Sequence, residues 1–444
     1  MFKFQNFKGF EAAKLNLEKP LTVLIGPNGS GKSNTIEAVE LLSFLVRGQP
    51  LHEVTDLGRG GSLEVRGGLS ACARVKGNPF EISFDAKLPF EGAQREISYS
   101  IKVVAAEEMR IVSEALRVRD RDIPIFETTS SASGGASADN EVRYDNFARG
   151  RNKPTAPVAA DRSVLSQYAR FATDNRKLSP CLELIGTLAK VLEAAFVFDP
   201  IPKLMRGYER LSETVLARNG FNVSPVLFNL SRRPMVFMNK ERVAEARAIA
   251  AEKNKSLARI RDRICQLPDE PFQDFDFIRT RSGDVMLGFK TPEPHRLVDA
   301  RLLSDGTLRT LAILTALETV AVGSRIVIEE FDNGVHPSRV RILTEALADC
   351  CKRRQLRALV TTHNPATLNE LLPEQIEGVV FSVWAQNTQS FNLVELSELP
   401  RHVEFMERGR LGDLVTRRIV EQYLAPGFTD SQTDKALAWL ETLR

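Results

Sequence analysis

One stretch near the start of the chain constrains its fold more than any other. Residues 21–34 read Leu-Thr-Val-Leu-Ile-Gly-Pro-Asn-Gly-Ser-Gly-Lys-Ser-Asn, an apolar run followed by a glycine-rich segment. Residues 26–33 match the pattern Gly-x-x-x-x-Gly-Lys-Ser, and the apolar spacing over 35–44 predicts a helix directly behind it. A strand, a glycine-rich loop and a helix in this order are the setting that a phosphate-binding P-loop (Walker A motif) requires. The sequence therefore predicts an α/β fold built around a P-loop.

The residue types of this loop fit a nucleoside triphosphate and its metal ion. Glycines let backbone N–H groups turn toward phosphates, and the N-terminus of the following helix adds positive potential. Lys32 can reach the β- and γ-phosphates, and the Ser33 hydroxyl can ligate Mg²⁺. The residues expected to contact the nucleotide are Gly26, Asn28, Gly29, Ser30, Gly31, Lys32, Ser33 and Asn34.

A second segment supplies carboxylates. Residues 325–330, Arg-Ile-Val-Ile-Glu-Glu, read as an apolar strand that ends in two carboxylates, Glu329 and Glu330. This arrangement is typical of a Walker B motif, in which Glu329 would hold Mg²⁺ and Glu330 would orient or deprotonate the attacking water. A strand ending in two glutamates is also common without a nucleotide, but the P-loop upstream favours the functional interpretation. The first acid is Glu rather than the more usual Asp.

Two further segments carry candidate residues, each with an ordinary structural alternative. Residues 303–307 read Leu-Ser-Asp-Gly-Thr and precede a predicted helix over 308–317. With Ser304 as its N-cap and Gly306 following, that helix would expose free backbone amides at its positive N-terminal end. The alternative is that Ser304 is an ordinary N-cap without a functional role. A later apolar strand ends at His363, which could contact the γ-phosphate or simply be a hydrogen-bonded polar residue.

The order of these motifs resembles the ATPase head of ABC-type proteins, with residues 303–306 as the Leu-Ser-x-Gly signature. Residues 6–10, Asn-Phe-Lys-Gly-Phe, together with the P-loop look like the opening of SMC, RecF and OLD (overcoming lysogenization defect) proteins. The segments that resemble the related AAA_15 and AAA_21 predicted ATPases are 303–309, 329–337 and 361–365. The resemblance covers both ends of the head, roughly residues 1–50 and 270–425.

The resemblance implies more than the motifs show by themselves. It implies ATP and Mg²⁺ as cofactors and a homodimer or higher homo-oligomer, because in this class the signature completes the nucleotide site of the partner protomer. Asp305 stands where glycine is usual, and we expect its carboxylate to point toward its own helix N-terminus. His336 falls at the position of the D-loop Asp. Gln167 is the candidate Q-loop residue, with an ordinary helix residue as the open alternative. The residues with expected catalytic roles are Glu330, His363 and Lys32.

The remaining pattern predicts a discontinuous head, with a mixed sheet and an antiparallel subdomain, interrupted by a helical insertion. Alternating apolar residues over 71–118 predict the antiparallel sheet, and the Ser- and Gly-rich residues 128–140 predict a surface loop. Helical spacing dominates 161–266. The predicted domains are a first head part at 1–160, the insertion at 161–268, a second head part at 269–425 and a C-terminal helix at 426–444.

For each of two predicted helices the sequence allows two different roles. The helix over 240–265 is crowded with Lys and Arg, and acidic residues lie among them. It can be a solvated helix face or a contact for nucleic acid or a protein partner. The amphipathic C-terminal helix can cap the protein's own core or bind a partner.

The net charge, the apolar runs and the cysteines indicate where in the cell the protein is expected. A net charge of +3 does not indicate nucleic acid or membrane binding, and the sequence has no apolar run long enough to span a bilayer. The five cysteines are scattered and form no Cys-x-x-Cys pair. We expect a cytoplasmic protein with reduced thiols and no membrane contact.

Three other classes fit less well. An ABC-transporter subunit would not have so large an insert between Lys32 and Ser304. A GTPase would need an Asp after Asn239-Lys240, which is absent. An SMC-type structural ATPase would need long heptad arms, for which 161–266 is too short.

The biological role has a leading interpretation and an alternative. OLD relatives carry a TOPRIM nuclease after the head, but the segment after His363 lacks its Glu…Asp-x-Asp pattern. We therefore expect an ATPase that controls a separate effector, with a nuclease as one candidate, as a subunit of an anti-phage defence system. The alternative is a RecF-like ATPase that contacts DNA in repair or maintenance.

Overall fold

The computed structural model describes residues 1–59, 62–105, 109–129, 139–148, 150, 152–171, 178–193, 195–232, 240–268, 270–293 and 296–424. For residues 240–246 it describes the backbone alone. The chain forms two compact units. The first contains Met1–Glu18, Gly26–Ala195 and Phe381–Val394, and the second contains Lys19–Ile25, Phe196–Val380 and the described residues from Glu395 onward.

In chain order the strands are β1 (Phe2–Phe7), β2 (Phe10–Leu15), β3 (Leu21–Ile25), β4 (Val54–Thr55), β5 (Leu63–Glu64), β6 (Phe80–Phe90), β7 (Ala93–Ala105), β8 (Met109–Val118), β9 (Phe126–Thr129), β10 (Asp139–Tyr144), β11 (Thr155–Ala159), β12 (Ala195–Phe198), β13 (Glu209–Arg210), β14 (Asp274–Arg279), β15 (Asp284–Lys290), β16 (Leu297–Asp299), β17 (Arg325–Ile328), β18 (Arg357–Thr362), β19 (Val379–Ala385) and β20 (Ser390–Glu395). The helices are α1 (Lys32–Val46), α2 (Val164–Phe171), α3 (Ser179–Glu193), α4 (Val223–Ser231), α5 (Lys240–Ile264), α6 (Asp305–Thr319), α7 (Pro337–Arg354), α8 (Pro365–Leu368), α9 (Pro373–Ile376), α10 (His402–Glu407), α11 (Leu411–Thr416) and α12 (Ile419–Tyr423). Short 3₁₀ helices cover Leu51–Glu53, Leu69–Ala71, Pro202–Arg206 and Leu396–Glu398.

An antiparallel sheet dominates the first unit. Its strand order is β11-β10-β9-β8-β7-β6-β1-β2. The long hairpin of β6 and β7 pairs Phe80 with Val103 at one end and Phe90 with Ala93 at the other. Buried side chains alternate along β7, which is how a sheet with one face on the core is patterned. The predicted antiparallel subdomain is confirmed.

Helix α1 also belongs to the first unit, and most of its side chains are buried. A helix that is buried on nearly every side lies inside the protein. The helix behind the P-loop is thereby held in place by packing and does not depend on its own helix propensity.

The second unit contains strands in the order β12-β17-β18-β3, and β18 pairs in parallel with both β17 and β3. In register, Ile328 of β17 lies beside Val360 of β18, and Thr362 of β18 lies beside Ile25 of β3. These strands are short, apolar and buried, as parallel strands covered on both faces are. A separate antiparallel sheet pairs β15 with β13, β14 and β16. The predicted mixed α/β architecture is therefore confirmed.

The region predicted as a helical insertion is not uniformly helical. Between 161 and 268 the described chain forms α2, α3, α4 and α5, but also the strands β12 and β13. Residues up to Ala195 belong to the first unit, and those from Phe196 belong to the second. The domain boundaries at 160, 268 and 425 remain predictions.

Two predicted segments lie largely or wholly outside the described residues. The loop predicted at 128–140 includes Thr129, where β9 ends, and Asp139, where β10 begins, and its residues 130–138 are not described. The C-terminal helix predicted at 426–444 is likewise outside the described chain. Within the described ranges, no helix combines the length and apolarity needed to cross a lipid bilayer.

Candidate nucleotide-binding site

The P-loop follows β3 and ends where α1 begins. Gly29 and Gly31 have φ angles of 78° and 97°, in the left-handed region that favours glycine. Gly26 is restricted by space instead, because a Cβ atom there would lie 2.5 Å from both the Ser30 Oγ and the Ser382 carbonyl oxygen. Glycine is therefore needed for the backbone angles at positions 29 and 31 and for the close approach of Ser30 and Ser382 at position 26.

Lys32 and Ser30 give the loop its polar lining. The Lys32 ammonium donates to the carbonyl oxygens of Gly26 at 2.7 Å and Pro27 at 2.9 Å, and the side chain is almost fully buried. The Ser30 carbonyl accepts a hydrogen bond from the Ser382 hydroxyl at 2.6 Å. The Ser30 hydroxyl is buried and makes no hydrogen bond within the described chain. A cation and an unused hydroxyl in one loop suit an anionic, oxygen-rich ligand.

The other predicted loop residues differ in exposure. Asn28 is exposed, while Ser33 and Asn34 are half-buried in the first turn of α1. Ser33 thus lies at the N-terminus of α1, the position from which a P-loop serine is expected to ligate Mg²⁺.

In the second unit, Glu330 follows β17 in a strained backbone conformation. Its φ is 46°, which a residue with a side chain adopts at a cost of about 1–3 kcal/mol. The Glu330 N–H donates to the Thr361 hydroxyl at 2.9 Å, and its Oε2 accepts from the Asn333 amide at 2.9 Å. Its Oε1 lies 3.6 Å from His363 Nδ1. The structure therefore brings together Glu330 and His363, and both side chains remain accessible, at 37% and 41% exposure.

Glu329 and Glu330 are held by an arginine whose role the sequence analysis missed. The Arg309 guanidinium, on α6, donates to the carbonyl oxygens of Glu329 at 2.8 Å and Glu330 at 2.9 Å. It also donates to the Pro200 carbonyl oxygen at 2.8 Å and lies 3.6 Å from Asp199. Burial lowers the pKa of Arg309, and the nearby carboxylates oppose that shift.

One signal in the sequence could have identified Arg309. Between Gly306 and Leu317 it is the only charged residue in an otherwise apolar and small helix. A charged side chain at such a position must be paired when it is buried. Here it ties α6 to the end of the Walker B strand.

The signature segment is organised by Ser304 and Gly306. The Ser304 hydroxyl accepts the Thr307 N–H at 3.1 Å and so caps α6, as predicted for the capping alternative. A Cβ at Gly306 would lie 2.5 Å from the Gly334 carbonyl oxygen, so this position must remain glycine for the two segments to approach. Asp305 forms an ion pair with Arg206. This ion pair is a partner that we did not predict, and our expectation that the Asp305 carboxylate points to its own helix N-terminus stays a prediction.

Asp332 and His336 lie between the Walker B strand and α7. Asp332 is buried, and its Oδ2 accepts from the hydroxyls of Thr362, at 2.8 Å, and Thr367. Its Oδ1 has no hydrogen-bond partner within the described chain. The Nδ1 of His336 accepts the Ser338 N–H at 3.3 Å and caps α7. Both residues thus fix the segment between the Walker B strand and α7.

Gln167 uses its side-chain amide locally. It is buried on α2, and its Nε2 donates to the carbonyl oxygens of Ala159 at 3.1 Å and Arg162 at 3.0 Å. Its Oε1 accepts the Ala159 N–H at 3.0 Å. These bonds support the ordinary-helix interpretation, and the Q-loop assignment of Gln167 remains a prediction.

The described cations of α5 are mostly paired with acidic or amide groups. The pairs are Lys253 with Asn229, Lys255 with Glu252, Arg259 with Glu252 and Glu318, Arg261 with Asp262, and Arg263 with Glu345. A cation that is already paired gains less from a phosphate backbone. The pairing favours a solvated helix face over a nucleic-acid contact for this part of α5.

Two family models match the chain. AAA_23, described as "AAA domain", matches residues 2–116, and AAA_21, described as "AAA domain, putative AbiEii toxin, Type IV TA system", matches residues 229–369. The first range includes the P-loop, and the second includes the signature, the Walker B glutamates and His363.

The curated and structural relatives are distant. The DNA replication and repair protein RecF of Acaryochloris marina (strain MBIC 11017) is 51% identical over 39 residues, which is 9% of this chain and 10% of RecF. The chain therefore matches about a tenth of the length of this curated relative.

Similar solved structures include an SmcHead bound to the C-winged helix domain of ScpA, with a TM-score of 0.44, 12% identity and coverage of 91% of this chain and 98% of that one. The SMC head domain from Thermotoga maritima has a TM-score of 0.40 and 12% identity, with coverage of 89% and 97%. A Pyrococcus furiosus Smc head domain bound to the C-terminal domain of ScpA has a TM-score of 0.41 and 13% identity, with coverage of 92% and 98%. Likeness at these scores carries no functional argument.

The P-loop, the Walker B glutamates and the two AAA matches define the class: this protein is a P-loop ATPase, and its motifs follow the order of the ABC type. Over 39 residues the chain is also similar to RecF. The predicted fold class and the ATPase class are thereby confirmed, together with the AAA_21-like and RecF-like parts of the predicted resemblance, whereas the resemblance to OLD proteins stays a prediction.

Proposed function

We propose that this ATPase binds ATP with Mg²⁺, dimerises around the nucleotide, and uses that closure to control a separate effector. The observation that carries the proposal is Glu330. Its backbone is held in a strained conformation by Thr361 and Arg309, and its accessible carboxylate lies 3.6 Å from His363. Strain of this kind persists where the surrounding structure holds a residue for a function.

The P-loop holds the triphosphate. Backbone amides at the start of α1 bind phosphate oxygens, and the Lys32 ammonium, positioned by two loop carbonyl oxygens, neutralises phosphate charge. The unused Ser30 hydroxyl supplies a further donor. Asn28 and Asn34 are the remaining side chains that we assign to nucleotide contact.

The residue types fit Mg²⁺: Ser33 has a hydroxyl and Glu329 has a carboxylate, and Mg²⁺ prefers oxygen ligands. When bound, the ion neutralises the charge that develops on the β- and γ-phosphates. Ser33 and Glu329 are the residues that would hold it.

Glu330 and His363 act on the attacking water and the γ-phosphate. The Glu330 carboxylate accepts a proton or hydrogen bond from the water, and the Asn333 amide fixes its orientation. His363 is within reach of the Glu330 carboxylate and presents a donor to the γ-phosphate. Lys32 completes the set of catalytic residues.

The signature acts on the nucleotide of a second copy. Ser304 caps α6, and the amides at its N-terminus, with Gly306 among them, bind an anion presented from outside the protomer. Two heads would then close on two ATP molecules. Closure performs no chemistry on DNA or protein, so its free energy acts on a partner.

We propose an effector that is encoded separately, with a nuclease as the first candidate, in an anti-phage defence system. The description of the AAA_21 family as related to AbiEii toxins of toxin–antitoxin systems supports a conflict role. The alternative is a RecF-like role in DNA repair or maintenance with direct DNA contact, which the RecF match over 39 residues favours. The five cysteines are free thiols, which suits the cytoplasmic location we propose.

The deciding experiment pairs hydrolysis with association. The purified parent protein is assayed for ATP hydrolysis and for DNA cleavage. The Glu330→Gln variant is then analysed by sizing chromatography with and without Mg·ATP. We expect hydrolysis, no cleavage and an ATP-dependent dimer. A monomer at saturating Mg·ATP would contradict the dimer model. Co-expression with neighbouring gene products distinguishes a bound nuclease from DNA binding by the ATPase alone.

A further inference from the structure

A single arginine holds the loop that leads into the signature. Arg206 ends the 3₁₀ helix Pro202–Arg206, and its side chain is only 27% exposed. Its Nη1 atom donates to three backbone carbonyl oxygens of this loop, those of Ala300 at 3.3 Å, Arg301 at 2.9 Å and Leu303 at 2.7 Å. Because these residues immediately precede Ser304, Arg206 determines how the signature enters α6.

The Arg206 guanidinium also neutralises the negative charge of Asp305. Its Nη2 atom pairs with the Asp305 carboxylate, which is 60% exposed beside Ser304. An uncompensated carboxylate here would repel any phosphate that approaches the N-terminus of α6. The nearby Arg301 does not take this role, since its guanidinium is paired with Asp299 at 2.6 Å.

We propose that Arg206 is a positioning residue that enables the Asp-containing signature to accept the triphosphate of a second copy. It fixes the loop through three carbonyl oxygens and neutralises Asp305 through the ion pair. This inference rests on the proposed ATP-linked dimer.

The geometry also predicts that lysine cannot replace Arg206. Arginine presents several N–H groups in a rigid fork, whereas lysine is a compact point charge. A lysine would restore the positive charge near Asp305 but could not reach the three carbonyl oxygens and the carboxylate together. Charge and positioning can therefore be separated by substitution.

The experiment measures the Mg·ATP concentration that gives half-maximal dimer, by sizing chromatography on a Glu330→Gln background. Arg206→Ala should raise it by about tenfold to a hundredfold, as expected for the loss of hydrogen bonds to a charged group. ATP binding to the monomer, measured with a fluorescent analogue, should be unchanged because Arg206 is not part of the P-loop. Lys203→Ala removes an exposed cation from the same 3₁₀ helix and is the matched control, expected to behave like the parent.

The double variant Arg206→Ala, Asp305→Asn tests the contribution of charge. On a logarithmic scale, it should recover at least half of the increase in the Mg·ATP concentration for half-maximal dimer that Arg206→Ala causes. Should Arg206→Ala not fold, as judged by its melting temperature, Arg206→Lys gives the same readout and should be impaired by about threefold or more. An unimpaired Arg206 variant, or a double variant with no recovery, overturns the inference. If the Glu330→Gln parent itself forms no ATP-linked dimer, the proposed function fails and the inference fails with it.

Discussion

The carbonyl oxygen of Gly334 lies where a side chain on Gly306 would begin. A Cβ atom at 306 would be 2.5 Å from that oxygen, closer than real Cβ contacts allow. The signature helix and the segment after the Walker B strand are therefore packed backbone to backbone. A movement of one must displace the other, so this contact links the two motifs mechanically.

Gly306→Ala should separate these segments. The backbone oxygen cannot rotate away as a flexible side chain would, so we expect a loss of stability of about 1–3 kcal/mol and slower ATP hydrolysis. Urea unfolding and steady-state kinetics measure the two effects. Gly186→Ala is the control, because Gly186 lies in α3 with open space around it and should gain about 0.5–1 kcal/mol as alanine. Equal behaviour of the two variants would contradict the close packing.

Lys32→Ala should abolish ATP binding. The variant removes the buried ammonium that the carbonyl oxygens of Gly26 and Pro27 hold in the loop. Titration with a fluorescent ATP analogue measures the affinity, and the melting temperature controls for folding. Undiminished affinity in a folded variant would refute the P-loop assignment.

Glu330→Gln should retain ATP binding and lose most hydrolysis. The amide keeps the shape and the contact with Asn333 but cannot act as a base, so we expect turnover to fall by about 10²- to 10⁴-fold. Phosphate release under saturating Mg·ATP measures it. Near-normal turnover would assign the catalytic role elsewhere.

Ser304→Arg should block ATP-driven association while each monomer still binds ATP. The substitution removes the cap of α6 and adds bulk at the surface that we propose meets a second copy. The comparison is made on the Glu330→Gln background, with nucleotide-free protein as a control for dimers that do not need ATP. Equal dimer fractions with and without the arginine would exclude the signature from the interface.

Glu114 gives the first unit a pH-dependent contribution to stability. It is fully buried and accepts from Ser163 Oγ at 2.7 Å, Tyr99 OH at 2.9 Å and the N–H groups of Val164 at 2.7 Å and Leu165 at 3.0 Å. Burial raises the pKa of Glu114 above its ordinary value of 4.5, and the four hydrogen bonds oppose that shift. The folded protein therefore holds this proton more tightly than the unfolded chain does.

The direction of the effect follows from proton linkage. The contribution of Glu114 is fully present below the pKa of the unfolded chain and is lost as the pH rises through the folded pKa. Glu114→Gln should flatten the pH dependence of the urea midpoint above pH 4.5, the unfolded reference. A slope identical to that of the parent would show that other groups are responsible. Glu141→Gln, on the exposed part of β10, is the matched control.

Much of the site could be read from the sequence, because its motifs are local. The P-loop needs glycine, lysine and serine at fixed spacings between a strand and a helix, and the Walker B glutamates must directly follow an apolar strand. The observed β17 covers Arg325–Ile328 and lies within the strand predicted over 325–330, and the helix behind the P-loop and the capping of α6 by Ser304 were also predictable. Periodicity and capping depend on neighbours within a few residues, and the sequence displays those directly.

What only the tertiary structure decided are the partners of the charged side chains. Asp305 meets Arg206, which lies 99 residues earlier in the chain, and Glu330 adopts its strained backbone between Thr361 and Arg309. The cations of α5 likewise find Glu318 and Glu345 on other helices. A carboxylate has the same local preferences whether it faces solvent, a helix end or a distant arginine. Its partner is fixed only when the packing of the apolar elements brings remote segments together, and that arrangement is not encoded in any short stretch of sequence.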